Sequence, residues 1–162
     1  SIWVSGQGGL QKTQSRKILS RSPPREIMSY FLDTDICIFA LKDKFPSIKK
    51  WIQSLSPDRV KIPSIVKAEL LFGAQNSHDP KRVDVIIGDF LDPFEIVSFD
   101  DKCAFFYSKI RQDLEKKGRP IGPNDLLIAA TVLGNQGTLV THNTKEYDRI
   151  PNLKLADWTK ED

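Results

Sequence analysis

From Met28 onward the sequence alternates short apolar runs with stretches of helical period, and this alternation limits the available folds more than any other feature. Strands of three or four residues separated by amphipathic helices specify a layered α/β architecture with a mostly parallel sheet and right-handed crossovers. Tyr30-Phe31-Leu32 is the first run and ends at Asp33; Thr34 or Asp35 is placed to cap a helix carrying Ile38, Phe39 and Leu41. Pro46 opens a second helix with Ile48, Trp51, Ile52 and Leu55. Val60-Lys61-Ile62 reads as a strand, followed by a helix from about Ser64 bearing Val66, Leu70 and Ala74. Val83, Ile86, Ile87, Phe90 and Leu91 recur with the helical period. Phe94 to Val97 is a strand, Asp100 caps a long helix stopped by Gly118, and Pro123 opens another running to about Gln136. Thr138-Leu139-Val140 and Leu153-Lys154-Leu155 complete the strands.

Residues 1–27 do not share this pattern. They are rich in Ser, Gly, Gln and Arg, contain a Pro-Pro pair and show no sustained period, which predicts a disordered or appended leader ahead of a single domain over 28–162. They also bias the charge, with five basic residues against the single acid Glu26. Removing these from the 24 basic and 21 acidic residues of the chain leaves 19 and 20, so the folded part is near neutral and its composition does not mark a nucleic-acid binder. A hydrophobic share of 40% is enough for a real core, and no apolar run approaches the ~18 residues of a membrane span. Cys37 and Cys103 lie far apart in apolar helical settings without zinc-ligand spacing, and read as buried free thiols suited to a reducing cytoplasm.

In an open parallel sheet, ligands sit beyond the carboxyl ends of the strands. Asp33 follows the first strand directly, Glu69 lies on the helix after the second, Asp125 is in the first turn of the helix opened by Pro123, and Thr141, His142, Asn143 and Glu146 follow Val140. Carboxylates gathered on one rim repel one another unless a cation neutralises them, and oxygen donors select hard ions, Mg²⁺ or Mn²⁺. Such an ion activates water against a phosphodiester. Taken singly, each acid has a plainer reading: Asp33 as a helix cap, Glu69 as a solvent-facing helical residue, Asp125 as an acid favouring a helix dipole, and Glu146 as a solvated turn residue. A nucleotide-cofactor fold lacks support because no GxGxxG follows strand one, and a phospho-accepting receiver domain fits poorly because Asp125 opens a helix behind Pro123.

Four segments carry a family resemblance. Phe31-Leu32-Asp33-Thr34-Asp35-Ile36-Cys37-Ile38, Ser64 to Ala74 around Glu69-Leu70, Pro120-Ile121-Gly122-Pro123-Asn124-Asp125-Leu126-Leu127-Ile128-Ala129-Ala130, and Leu139 to Tyr147 followed by Arg149-Ile150-Pro151 resemble, in order, the four motifs of VapC-type PIN domains. The third match is the most specific, and the resemblance runs from Met28 to Trp158. Asp35 departs from the more usual Asn, and His142 stands where Asn or Arg is common. The resemblance implies a PIN-like three-layer α/β/α sandwich and a Mg²⁺-dependent endoribonuclease (Mn²⁺ as a substitute), the toxin of a toxin–antitoxin pair. It implies Asp33 and Asp125 as metal ligands, Glu69 holding a metal water or a second ion, and Glu146 with Asn143 completing the site. It further implies a structured RNA substrate such as transfer RNA, homodimerisation, and a VapB-like antitoxin covering the acidic pocket; a catalytically silent RNA- or protein-binding PIN module is the alternative. Arg111, Lys116, Lys117 and Arg119 are candidates for gripping phosphates or simply a solvated helix end, and Phe39, Trp51, Ile52 and Phe72 either form a groove for the antitoxin or belong to the core.

Overall fold

The structure is a computed structural model that describes residues 28–161. The predicted leader therefore lies outside the described residues. Five strands, β1 (Tyr30–Leu32), β2 (Val60–Pro63), β3 (Glu95–Val97), β4 (Thr138–Val140) and β5 (Lys154–Ala156), form one sheet in the order β3-β2-β1-β4-β5. All four pairings are parallel. The helices that cover it are α1 (Thr34–Leu41), α2 (Pro46–Ser54), α3 (Ser64–Gln75), α4 (Pro80–Leu91), α5 (Asp101–Lys116), α6 (Pro123–Gly134) and α7 (Thr144–Tyr147). The α/β class and mostly parallel sheet expected from the alternation are those observed. Among the described residues no helix is long and apolar enough to cross a membrane.

The three central strands, β2, β1 and β4, are largely apolar because they are buried between helices, whereas the edge strands β3 and β5 are only partly covered. Phe31, Leu32, Val60, Ile62, Leu139 and Val140 are all inaccessible to solvent or nearly so, as a parallel sheet between helices requires. Helix α6 runs through the centre of the core, with Ile128, Ala129, Ala130 and Val132 fully buried; its small residues let it lie close to its neighbours. Trp158 is buried beyond β5, stacks on Trp51 of α2 with ring centroids 5.7 Å apart, and accepts a 2.7 Å hydrogen bond on its carbonyl from the Ser47 hydroxyl. Both cysteines are free and buried, as expected.

Several boundaries differ from the sequence reading. Of the caps the sequence offers for α1, it is Asp33 rather than Thr34 or Asp35 that serves, because it already holds the extended backbone of a strand end (φ −72°, ψ 162°) and its carboxylate reaches the next amide. Helix α6 stops at Gly134; Gln136 turns the chain at a positive φ of 54°, and the Gly137 amide donates back to the Val132 carbonyl at 3.1 Å. The last strand is shifted one residue along because Lys154 aligns with Thr138. Of the four apolar residues offered for a groove, Phe39, Trp51 and Ile52 pack against the core, and Phe72 is 68% exposed.

The order of the strands creates the crevice. The chain builds the sheet outward from β1 to β2 and β3 on one side, then returns to β4 and β5 on the other. The change of direction falls between β1 and β4, and their carboxyl ends, Asp33 and Thr141, face each other across it.

Two glycines test the packing. A Cβ on Gly137 would stand 2.4 Å from a ring carbon of buried Phe31, whereas one on Gly88, within α4, would meet nothing within 4 Å. Gly137→Ala is expected to lower stability by about 1–3 kcal/mol, and Gly88→Ala to raise it by up to ~1 kcal/mol. Urea unfolding of both variants checks the pair; equal effects would contradict the described packing.

Candidate active site

Asp33 is placed by backbone pairing before its side chain does anything. Its amide donates to the Val140 carbonyl at 2.9 Å, extending the β1–β4 ladder by one rung. The side chain, 5% exposed, then accepts from the Thr34 amide on Oδ1 at 2.9 Å and from the Thr141 hydroxyl on Oδ2 at 2.8 Å. Burial, followed by the charge of Asp35 and more weakly that of Asp125, raises its pKa from an ordinary 3.8 to about 7 against those donors. Asp35 is itself shifted upward by burial, while the amides of Ile36 and His142 favour its charged form.

The other acids arrive on three further elements. Glu69, half-buried on α3, accepts from the Thr34 hydroxyl at 3.0 Å, which links it to the start of α1. Asp125 lies in the first turn of α6, whose N-cap Gly122 has no side chain to offer; an acid there favours the helix dipole. Its pKa is nonetheless raised to about 6, first by burial, then by Glu146, with Glu69 adding to the repulsion. Glu146, on α7, accepts from the Gly122 amide at 3.1 Å and from the Asn143 side-chain amide. The Asn143 backbone amide donates to the Thr141 hydroxyl oxygen at 3.0 Å. Thr141 therefore passes a hydrogen bond on from Asn143 to Asp33.

All four acids singled out in the sequence thus come together at the carboxyl edge of the sheet, with Asn143 bound to one of them. Glu146, read singly as a solvated turn residue, is instead half-buried. Among the described residues, no Lys, Arg or His nitrogen lies within 4.0 Å of Asp33, Glu69, Asp125 or Glu146. Nor, among those residues, do any three carboxylate, imidazole or thiol groups close into a ready-made metal cage. The set is therefore an uncompensated ring of carboxylates held apart and oriented by hydroxyls and amides. It suits a hard divalent cation that keeps much of its water, rather than a tightly caged ion.

Residues outside the ring sort clearly. His142 turns away to Asp157 at 3.2 Å and lies edge-on to Phe39; His78 is exposed between α3 and α4. Arg111 is engaged by Glu115 and by the Tyr107 hydroxyl, each at 2.9 Å, and Lys117 by Asp113 at 2.9 Å. Lys116 and Arg119 are exposed and make no ion pair among the described residues. The sequence reading did not single out Thr34, the Gly122 amide or Tyr147 for the site. Tyr147 is wholly buried, and its hydroxyl stands 3.5 Å from Asp33 Oδ1. A backbone amide leaves no trace in residue type, and an aromatic on a four-residue helix looks like core.

The raised carboxyls make the metal-free protein sensitive to pH. Because Asp33 titrates near 7 in the folded chain and near 3.8 otherwise, its stabilising effect is fully present below about pH 4 and lost as pH rises through about 7; Asp125 behaves likewise up to about 6. In EDTA the urea midpoint should fall between pH 5 and 7.5, and Asp33→Asn should flatten that fall. A midpoint that rises over this range would refute the assignment.

Comparison with known proteins identifies the family. The PIN domain family matches residues 30–153. Ribonuclease VapC2 of Rickettsia felis is 42% identical over 134 residues, spanning 82% of this chain and 100% of that protein. A tRNA(fMet)-specific endonuclease VapC of Salmonella typhimurium is 35% identical over 133 residues, covering 82% and 99%. Among solved structures, VapBC2 from Rickettsia felis bound to a promoter DNA fragment superposes with a TM-score of 0.76 at 40% identity, covering 81% of this chain and 99% of that one. VapBC-1 from nontypeable Haemophilus influenzae gives 0.77 at 36%, covering 82% and 100%. With its acids on the sheet edge and its sequence matched over that whole length, the chain belongs to the PIN domain family, among the VapC ribonucleases.

Proposed function

We propose that this chain is a divalent-metal-dependent endoribonuclease toxin that cuts structured RNA, transfer RNA in particular, and is silenced by a VapB-like antitoxin. The observation that carries the reading is the meeting of Asp33, Glu69, Asp125 and Glu146 without a protein cation within 4.0 Å among the described residues. The residues fit Mg²⁺, with Mn²⁺ as a substitute: all are oxygen donors, and their mutual repulsion is what a bound cation would relieve.

In this reading Asp33 and Asp125 bind the ion, and Glu69 holds a metal water or a second ion. Glu146 and Asn143 complete the outer part of the site. When bound, the ion lowers the pKa of its water and offsets the charge that develops on the phosphodiester. The protein groups supply orientation: Thr141 and Thr34 fix the two oxygens of Asp33, and the Gly122 amide fixes Glu146. Hydrolysis in line leaves a 5′-phosphate on one fragment and a 3′-hydroxyl on the other. A shallow rim such as this suits loops and single strands, whose phosphates are accessible, and Lys116 and Arg119 are free to meet them. The transfer-RNA assignment draws support from the relative named for that substrate. The antitoxin draws support from the VapBC complexes among the structural neighbours. Residues 28–162 acting as one domain, a homodimer and a cytoplasmic setting belong to the same proposal.

Two results test it. With purified protein in Mg²⁺, Asp33→Asn and Asp125→Asn should each slow RNA cleavage by on the order of 1,000-fold, the several kcal/mol a metal contributes to such a transition state, while circular dichroism stays unchanged. Cleavage at the wild-type rate in either variant, or in EDTA, would overturn the metal-ligand assignment, and no cleavage by the wild type in Mg²⁺ would favour a silent RNA- or protein-binding module. The Mg²⁺ concentration needed for half-maximal cleavage should also fall as pH rises through about 6 to 7, because the carboxyls must shed protons to bind; a requirement independent of pH would contradict the ligand assignment.

A further inference from the structure

Tyr147 ends α7, and its ring is inaccessible to solvent within the core. Its hydroxyl, the one polar atom of that side chain, points into the acid ring. It donates toward Asp33 Oδ1 at 3.5 Å. A neutral phenol carries one proton and can donate it to one acceptor at a time.

Packing does not require that oxygen. A phenyl ring fills the same core space and brings no buried polar group that needs a partner. What the hydroxyl adds is a further neutral donor, brought from α7, beside a carboxylate that the charges of Asp35 and Asp125 crowd. Thr141 already holds the other oxygen of Asp33 at 2.8 Å. The Thr34 amide holds Oδ1 at 2.9 Å, and the Tyr147 hydroxyl is a second, longer donor to that same oxygen. The same short helix also carries Glu146, so α7 brings an acid and a donor to the ring together.

We propose that Tyr147 is a positioning residue of the metal centre, its hydroxyl facing Asp33 Oδ1 from α7 so that this carboxylate keeps the rotation that receives the ion. The proposal rests on the reading of these acids as a divalent-metal site. Groups that orient metal ligands from behind typically change metal affinity by about 10–100-fold when removed.

The test is calorimetric titration of the full chain with Mn²⁺ for wild type, Tyr147→Phe and Tyr147→Leu, with a thermal melt of each metal-free protein. Tyr147→Phe should bind Mn²⁺ about 10–100-fold more weakly, at unchanged stoichiometry and with little change in melting temperature. Tyr147→Leu, which also loses the ring, should melt lower yet show the same loss of affinity as the Phe variant. A Phe variant that binds Mn²⁺ like wild type overturns the assignment. So does an affinity that drops only in the Leu variant, in step with its melting temperature, which would return Tyr147 to packing alone. Wild type that binds no Mn²⁺ overturns the metal reading itself, and the role of Tyr147 with it.

Discussion

Asp33 sits where the fold can least easily keep a charge, between the ends of two central strands and almost wholly out of water. Burying a carboxylate is costly unless its oxygens are occupied and its charge is met. The structure meets the first demand within its own chain, through the Thr34 amide and the Thr141 hydroxyl. Among the described residues no cation meets the second, since the charged neighbours that act on Asp33 are further acids. Much else follows from that arrangement: α1 starts where it does because Asp33 caps it, and β4 must end at Val140 so that Thr141 can reach across.

The tension is one of stability against readiness. Asp125, Glu69 and Glu146 each add repulsion, and each is restrained by a neutral donor rather than a cation. Neutral donors orient a carboxylate without competing for its charge, whereas a lysine in the same place would satisfy the ring and leave nothing for a ligand to do. Strain of this kind, kept at a functional edge and offset by a well-packed centre, is common in enzymes. Here the offset comes from central strands buried between helices and from α6, whose small residues run through the core.

The architecture was legible because its signals are local and repeated. Apolar triplets ending at Asp33 and Val140, prolines at the first turn of α2 and α6, and the helical period from Val83 to Leu91 each point to one element type. The acids were legible as types placed after strands. Their partners were less so. That Thr141 hydrogen-bonds Asp33 depends on β1 and β4 being neighbours, a pairing across 108 positions that no local pattern encodes. The Gly122 amide that meets Glu146 and the buried phenol of Tyr147 are likewise products of tertiary placement. Helix ends failed by a residue or two where capping geometry, not composition, decided them, as at Gln136.

The separation of Asp33 from its partners also has a meaning for how the molecule is made. Translation delivers Asp33, Glu69 and Asp125 first, and Thr141, Glu146 and Tyr147 only after them. Trp158, which locks against Trp51 and Ser47, emerges later still. A nascent chain halted before β4 holds three of the acids but neither the hydroxyls that orient Asp33 nor the strand that seats them. A growing copy of this protein is therefore without a complete site until β4 and α7 have been made.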